Sequence, residues 1–304
     1  MNAPEGQKGG QSPGAVTSRY YWWFVAPAGV AVLALFVAPV IYVIWLAMRN
    51  YNLLIGTDRF VGVDNLVRAI TSDHEFVGSI GRTLIYVVLV VGTDFVVGMI
   101  QALLVYELAP RLRKVVRTIF LLPVLLIPAA GAVFWRMVMY GPPNEQLLRI
   151  FGLDGVVAPP LSLPTTAFLA IIVTVIWAWS PWVFLLLSGG LDGLDRSILE
   201  ASEVDGAGYF RRLFSIILPM MKPVIFVALS FKAVDSFLSF PFVWIMTQGG
   251  PSGSTHLVST YIYERAFQFL DYGYGSAMAL ILLVVSAGLS IAAASYWART
   301  QKEA

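Results

Sequence analysis

The chain has 304 residues, 58% of them hydrophobic and only 12% charged, with a mean hydropathy of +0.76. A water-soluble domain of this size needs a charged exterior that this composition does not supply, so lipid is the expected solvent for most of the surface. The net charge of +2 gives no basic excess for nucleic acid, and the absence of cysteine excludes disulfides and thiolate chemistry.

Residues 1–19 are rich in Gly, Ser and Pro and read as a disordered cytoplasmic tail. The apolar stretch that follows is longer than a signal-peptide core and lacks a small-residue cleavage site, so it reads as a retained first span. Six stretches are long and apolar enough to cross a hydrocarbon core of about 30 Å as helices. They run over 22–48, 83–106, 118–140, 164–190, 223–247 and 273–297, which makes 20–304 one all-α, six-span domain. Strand-type alternation is absent, against a β-barrel. Pro27, Pro39, Pro123, Pro128, Pro181 and Pro241 fall inside spans, where each removes a backbone donor and favours a kink.

Placing both termini in the cytoplasm puts 12 of the 20 Lys and Arg residues on inner segments and 7 on outer ones, the remaining Lys232 lying within a span. The positive-inside bias therefore favours that orientation. It leaves 49–82, 141–163 and 248–272 as external loops and 191–222 as a cytoplasmic one. The aromatic run Tyr20-Tyr21-Trp22-Trp23 suits the inner interface.

The 191–222 loop is the most informative segment. A short helix is expected around Ile198–Val204, a break at Gly206–Gly208, then a second helix around Tyr209–Ile217. Phe210, Leu213, Phe214 and Ile217 recur at helical spacing and are expected to bury one face. Glu200, Glu203 and Asp205 remain as polar groups for a soluble partner. On these residues alone, an amphipathic hairpin lying on the membrane surface is an equally good reading.

Glu200-Ala201-Ser202, Asp205-Gly206 and Leu218-Pro219 resemble the signature loop of ABC-importer permeases, with Ser202 in place of a second Ala. Further stretches resemble the maltose-transporter type: Phe60-Val61-Gly62-Val63-Asp64-Asn65, Arg117-Thr118 with Leu122-Pro123, Phe134-Trp135-Arg136, Thr247-Gln248-Gly249-Gly250-Pro251 and Ser259-Thr260-Tyr261-Ile262-Tyr263. The resemblance implies that Glu200, Ala201, Glu203, Asp205, Gly206, Ala207 and Gly208 form a coupling helix that docks on an ATPase. It also implies a second, similar permease to complete the pore, two ATP-binding subunits and an external substrate-binding protein, in a bacterial inner membrane. No Gly-x-x-x-x-Gly-Lys-Ser/Thr occurs, so the chain has no phosphate-cradling loop of its own. No cofactor is expected on this chain, and ATP and Mg are expected on the partner. A transport subunit, not an enzyme, is the expectation; a secondary transporter or channel is the alternative.

Charges inside a membrane are costly and usually face a cavity or a partner. Asp94, Lys232 and Asp235 fall within spans, and the last two, three apart, share a helix face. With Ser236, Ser239, Trp177 and Trp179 they are the substrate-path candidates. Their alternatives are simple ion pairing for the charges and packing or interface anchoring for the tryptophans. Trp182 lies beyond Pro181 on the same stretch, and Arg136 is expected to snorkel or play a structural part near a membrane surface. His74 and His256 lie apart without ligand spacing, so neither a metal site nor a nucleophile-and-base pair is expected.

Overall fold

The computed structural model describes residues 18–153, 158–237 and 239–303. The expected tail therefore lies, up to residue 17, outside the described residues, as do the side chains of the Tyr20–Trp23 cluster. In chain order the helices are α1 (Ser18–Val32), α2 (Ala38–Ala47), α3 (Asp64–Thr71), α4 (His74–Tyr106), α5 (Pro110–Leu121) and α6 (Pro128–Tyr140). They continue as α7 (Pro142–Ile150), α8 (Pro164–Asp192), α9 (Arg196–Val204), α10 (Tyr209–Arg212), α11 (Leu218–Met220) and α12 (Lys222–Phe237). The last three are α13 (Phe240–Thr247), α14 (Val258–Tyr263) and α15 (Tyr272–Glu303).

Among the described residues, four helical stretches are long and apolar enough to cross a membrane: Val25–Ala47, His74–Tyr106, Pro164–Asp192 and Tyr272–Arg299. A bent pair, Tyr209–Met220 with Lys222–Phe237, makes a fifth if counted as one span, despite a 72° angle. The expected third span, 118–140, is not one continuous helix. Between α5 and α6 the chain makes a 3-10 turn at Pro123–Leu125, then runs extended through Leu126 and Ile127. Ile127 precedes Pro128, whose ring disfavours helical geometry at the preceding residue, and Pro123 supplies no donor to the turn before it. The expected fifth span, 223–247, is likewise divided between α12 and α13, with Pro241 in the first turn of the new helix. In the first span, Pro39 follows a π-helical stretch at Leu33–Val37, the local adjustment that a missing donor favours.

The chain is mostly helical but not all-α. Strands β1 (Arg49–Asn52) and β2 (Thr57–Phe60) form an antiparallel hairpin, pairing Arg49 with Phe60 and Asn52 with Thr57. The expected loop 49–82 thus holds a hairpin, α3 and the first turns of α4. Helix α4 begins well before residue 83 because the Asp73 side chain caps it, accepting from the Phe76 amide at 2.9 Å. The two other expected external loops hold α7 and α14.

The Val61-Gly62…Asn65 motif closes onto the end of α2. The amides of Val61 and Gly62 both donate to the Met48 carbonyl, and the Asn65 side chain donates to the carbonyls of Ala47 and Arg49, each at 2.9 Å. Those of Ala47 and Met48 are helix-end carbonyls that would otherwise lack partners, and Arg49 opens β1. Asn65→Leu should destabilise the detergent-purified protein by about 1–3 kcal/mol, the cost of leaving such groups unpaired, read as a lowered melting temperature.

Helices α4 and α8 form the spine. At their crossing, a Cβ on Gly98 would sit 3.0 Å from the Phe184 amide nitrogen and from Val183 Cγ1, so glycine sets the close approach. Tyr86, Val90, Ile171, Val175, Phe242 and Val243 pack at one end of this spine, and Met99, Ala102, Phe184, Leu187, Ile217 and Met221 at the other. A third cluster joins α3, α4, α14 and α15 around Phe76, Tyr261 and Tyr274. Leu35, Phe36, Val88, Leu104, Val284 and Ile291 point outward, as side chains facing lipid or a partner helix do.

Candidate coupling and substrate-path sites

Helix α9 is fixed at both ends. The Asp195 side chain accepts from the Ser197 amide at 2.9 Å, and hydrogen bonds from Ser197 hold its carboxyl below the usual carboxylate range. At the far end, Ala207 N donates to Ser202 O and Gly206 N to Glu203 O, both at 3.0 Å. This is the Schellman arrangement, and it needs a left-handed residue between them. Gly206, at φ +73°, supplies it. The chain then turns extended at Gly208 into α10 and a π-helical stretch, Leu213–Ile217.

The helix–break–helix expectation is therefore borne out. Ser202 is buried and its hydroxyl donates to the Leu199 carbonyl at 2.6 Å, so the serine is satisfied locally where the signature has alanine. Glu200, Ala201, Glu203, Asp205, Gly206 and Gly208 are exposed and Ala207 is half-buried. Glu203 pairs with Arg212 across the break. The expected buried face is only partly realised. Ile217 is buried and Leu213 half-buried, but Phe210 and Phe214 stay 71% and 64% exposed. Periodicity placed them on one face; within this chain nothing among the described residues covers its outer half.

Between α9, α10 and the end of α4 lies a cleft of about 240 Å³ whose walls include Tyr106, Glu107, Glu200, Glu203 and Arg212. Beside it, Arg117 donates to Ser188 Oγ at 2.7 Å and to Asp192 Oδ2 at 2.6 Å, while Arg113 reaches Asp192 and the Tyr106 carbonyl. The elbow is thus mounted at one end of the α4–α8 spine.

Deeper in the spine, four of the substrate-path candidates come together. Lys232 Nζ lies 3.1 Å from Asp235 Oδ2 and 3.4 Å from Asp94 Oδ2, and sits 5.2 Å from the centre of the Trp179 ring. Asp94 is fully buried on α4, Lys232 is 2% exposed on α12, and the Asp235 side chain is 28% exposed. One ammonium therefore lies within reach of two carboxyl groups. Ser236 is buried near the end of α12, but Ser239 does not share that helix: it is buried in the break, at the N-cap of α13. Trp177 is directed elsewhere, edge-on to Trp135 of α6 at 5.6 Å, whereas Trp182 stacks on Phe231 at 4.3 Å. Arg136 donates to the Ile245 carbonyl at 3.1 Å, joining α6 to α13.

Two features escape a reading of the sequence. Tyr86, on α4, is buried beside Ser239 with no well-formed hydrogen bond for its hydroxyl. At the N-terminal end of α4, Asp73 accepts from the hydroxyls of Tyr261 and Tyr274, and Arg265 donates to Tyr261. Partial burial pushes the Asp73 carboxyl up, but the Phe76 amide and the two tyrosines outweigh it and hold it below its ordinary value. Both sets join residues far apart in the chain, so no local pattern announces them.

Residues 94–300 match the family described as the binding-protein-dependent transport system inner membrane component. The chain belongs to this family. This permease is 34% identical over 266 residues to the sulfoquinovosyl glycerol transport system permease protein SmoG of Agrobacterium fabrum, covering 86% of this chain and 85% of that one. It is 31% identical over 270 residues to the trehalose/maltose transport system permease protein MalF of Thermococcus litoralis, covering 88% and 90%. A bacterial ABC transporter that imports the acidic polysaccharide alginate has the same fold in its matching chain, with a TM-score of 0.79, 22% identity, and 92% and 96% of the two chains covered. The protein is a multi-pass membrane permease subunit of an ABC import system.

Proposed function

We propose that this permease moves a carbohydrate or a closely related polyhydroxylated solute into the cytoplasm by alternating access. ATP and Mg bind two separate ATPase subunits, a second homologous permease completes the pore, and an external binding protein delivers the cargo. Broken α5–α6 and α12–α13 then serve as the third and fifth of six spans, with both termini cytoplasmic in a bacterial inner membrane. The observation that carries this reading is the exposed α9–Gly206–α10 elbow, capped at both ends and mounted on the α4–α8 spine. Glu200, Ala201, Glu203, Asp205, Gly206, Ala207 and Gly208 form its docking surface. A rigid elbow at the end of a packed helix pair transmits a displacement into the membrane, because packed cores shift as bodies and do not yield continuously.

The relatives named above carry trehalose, maltose or sulfoquinovosyl glycerol by their names, and these are the first cargo to try. Expressing the permease with its neighbouring transport subunits should yield a stable complex containing an ATPase, and ATP-dependent uptake of one of these sugars in proteoliposomes. Uptake by the permease without any ATPase would favour a secondary transporter or channel and overturn the reading.

A further inference from the structure

At the end of the spine away from the elbow, a crevice of about 290 Å³ opens between α4 and α8, walled by Arg82, Ile85, Thr165, Phe168, Leu169 and Ser254. Its walls are graded by depth. On α4, Arg82 stands one turn before Ile85, and on α8, Thr165 stands one turn before Phe168 and Leu169. Polar groups therefore ring the mouth, beside residues 83 and 164 where the spans expected from hydropathy begin. One turn further in, both helices are apolar. The mouth also has donors to spare. Arg82 Nε donates to the His256 carbonyl at 2.9 Å and Nη2 to Glu75, whereas Nη1 makes no hydrogen bond among the described residues. The Ser254 hydroxyl is buried without a partner among them, and Thr165 is exposed.

The crevice faces away from the buried ion group. Ile85 lies nine residues before Asp94, which at 3.6 residues per turn is the opposite side of α4. One turn deeper on that side, Val88 and Leu89 are 71% and 41% exposed, and on α8 Leu169 and Val173 are 50% and 51% exposed. An uncovered apolar track thus runs on from the crevice along both helices.

We propose that this crevice seats a phospholipid, with its phosphate on Arg82 Nη1 and the Ser254 and Thr165 hydroxyls, and one acyl chain along Ile85, Leu89, Leu169 and Val173. A guanidinium with a free N–H suits a phosphate oxygen, and the hydroxyls add further donors. Exposed Glu75 offsets the charge of the arginine, so the headgroup that fits is zwitterionic, its amine within reach of that carboxylate. An apolar helix of another protein in the same place would bury the open arginine donor and the serine hydroxyl without acceptors, which is costly.

The test titrates the delipidated, detergent-purified permease complex with phosphatidylethanolamine, phosphatidylglycerol and phosphate-free diacylglycerol of the same chains. Native mass spectrometry counts the lipid held by each permease. Phosphatidylethanolamine should bind most tightly and raise the melting temperature, and diacylglycerol should bind least. Arg82→Gln should weaken phosphatidylethanolamine binding about tenfold or more, the scale of a hydrogen bond to a charged group. Because Arg82 also holds the His256 loop, the deciding variant is Leu169→Trp, which fills the crevice and touches none of the polar partners. It should lose the tightly held lipid while the complex stays assembled. Equal lipid occupancy in Leu169→Trp and the wild type overturns the proposal. So does a Leu169→Trp complex that sheds a subunit and keeps its lipid, which makes the crevice a protein–protein contact. Diacylglycerol bound as tightly as phosphatidylethanolamine, or phosphatidylglycerol bound more tightly, overturns the headgroup assignment.

Discussion

Gly206→Pro should abolish ATP-coupled uptake while leaving membrane insertion intact. Residue 206 sits at φ +73°, and proline is confined to φ near −65°. The substitution also removes the amide that donates to Glu203 O. Without that bond the left-handed turn closing α9 is lost, and the Ala207–Ser202 bond goes with it. The elbow then cannot present Glu200, Glu203 and Asp205 in fixed relation to α10. The spans are untouched, since Gly206 is exposed and a Cβ there meets nothing within 4 Å. Gly206→Ala separates conformation from bulk: left-handed geometry costs alanine about 1–2 kcal/mol, so a partial loss is expected. The two measurements are the amount of membrane-integrated permease and the uptake rate of the assembled transporter. Full ATP-coupled uptake by Gly206→Pro would remove the elbow from the coupling path.

How much of this was legible in advance depends on whether local pattern or distant contact decides each feature. The α9–α10 elbow was readable almost to the residue, because a glycine pair between two short amphipathic runs has few other outcomes. Helices α4, α8 and α15 were equally plain from their apolar length. The break between α5 and α6 is not, although Pro123 and Pro128 stand in the sequence. Hydropathy counts apolar side chains, whereas continuity depends on backbone donors, and two prolines near one turn remove enough of them to leave Ile127 extended. The β1–β2 hairpin escaped because its strands are short and polar; its register comes from a turn in which Asn52 Oδ1 accepts from the Leu54 amide at 2.8 Å, and from Asn52 bridging to Asp271. Phe210 and Phe214 show the limit of periodicity, which places residues on a face without saying what covers it. Lys232 and Asp235 could be paired from their spacing. That Asp94 completes the group could not, since only the packing of α4 against α12 brings it there.

Lys232→Met should be the most damaging single change inside the membrane-spanning core. Methionine fills similar space, so the loss is electrostatic. It strands Asp94, fully buried, beside Asp235 with no cation between them. Removing one partner of a buried ion pair costs about 3–5 kcal/mol, because the remaining charge keeps its desolvation penalty and loses its compensation. The expected result is a sharp fall in extractable, assembled permease and a lower melting temperature for what survives. The double variant Lys232→Met with Asp94→Asn should regain most of that stability, since the fully buried charge is now gone and Asp235 retains some solvent. Asp94→Asn alone should be mild, as Lys232 keeps the Asp235 carboxylate at 3.1 Å. This ordering follows from burial and not from charge count, for Asp94→Asn and Lys232→Met each remove one unit of charge. A Lys232→Met permease as stable as the wild type would mean that the three side chains do not share a dry interior, and that water or a partner subunit reaches Asp94 in the assembled transporter.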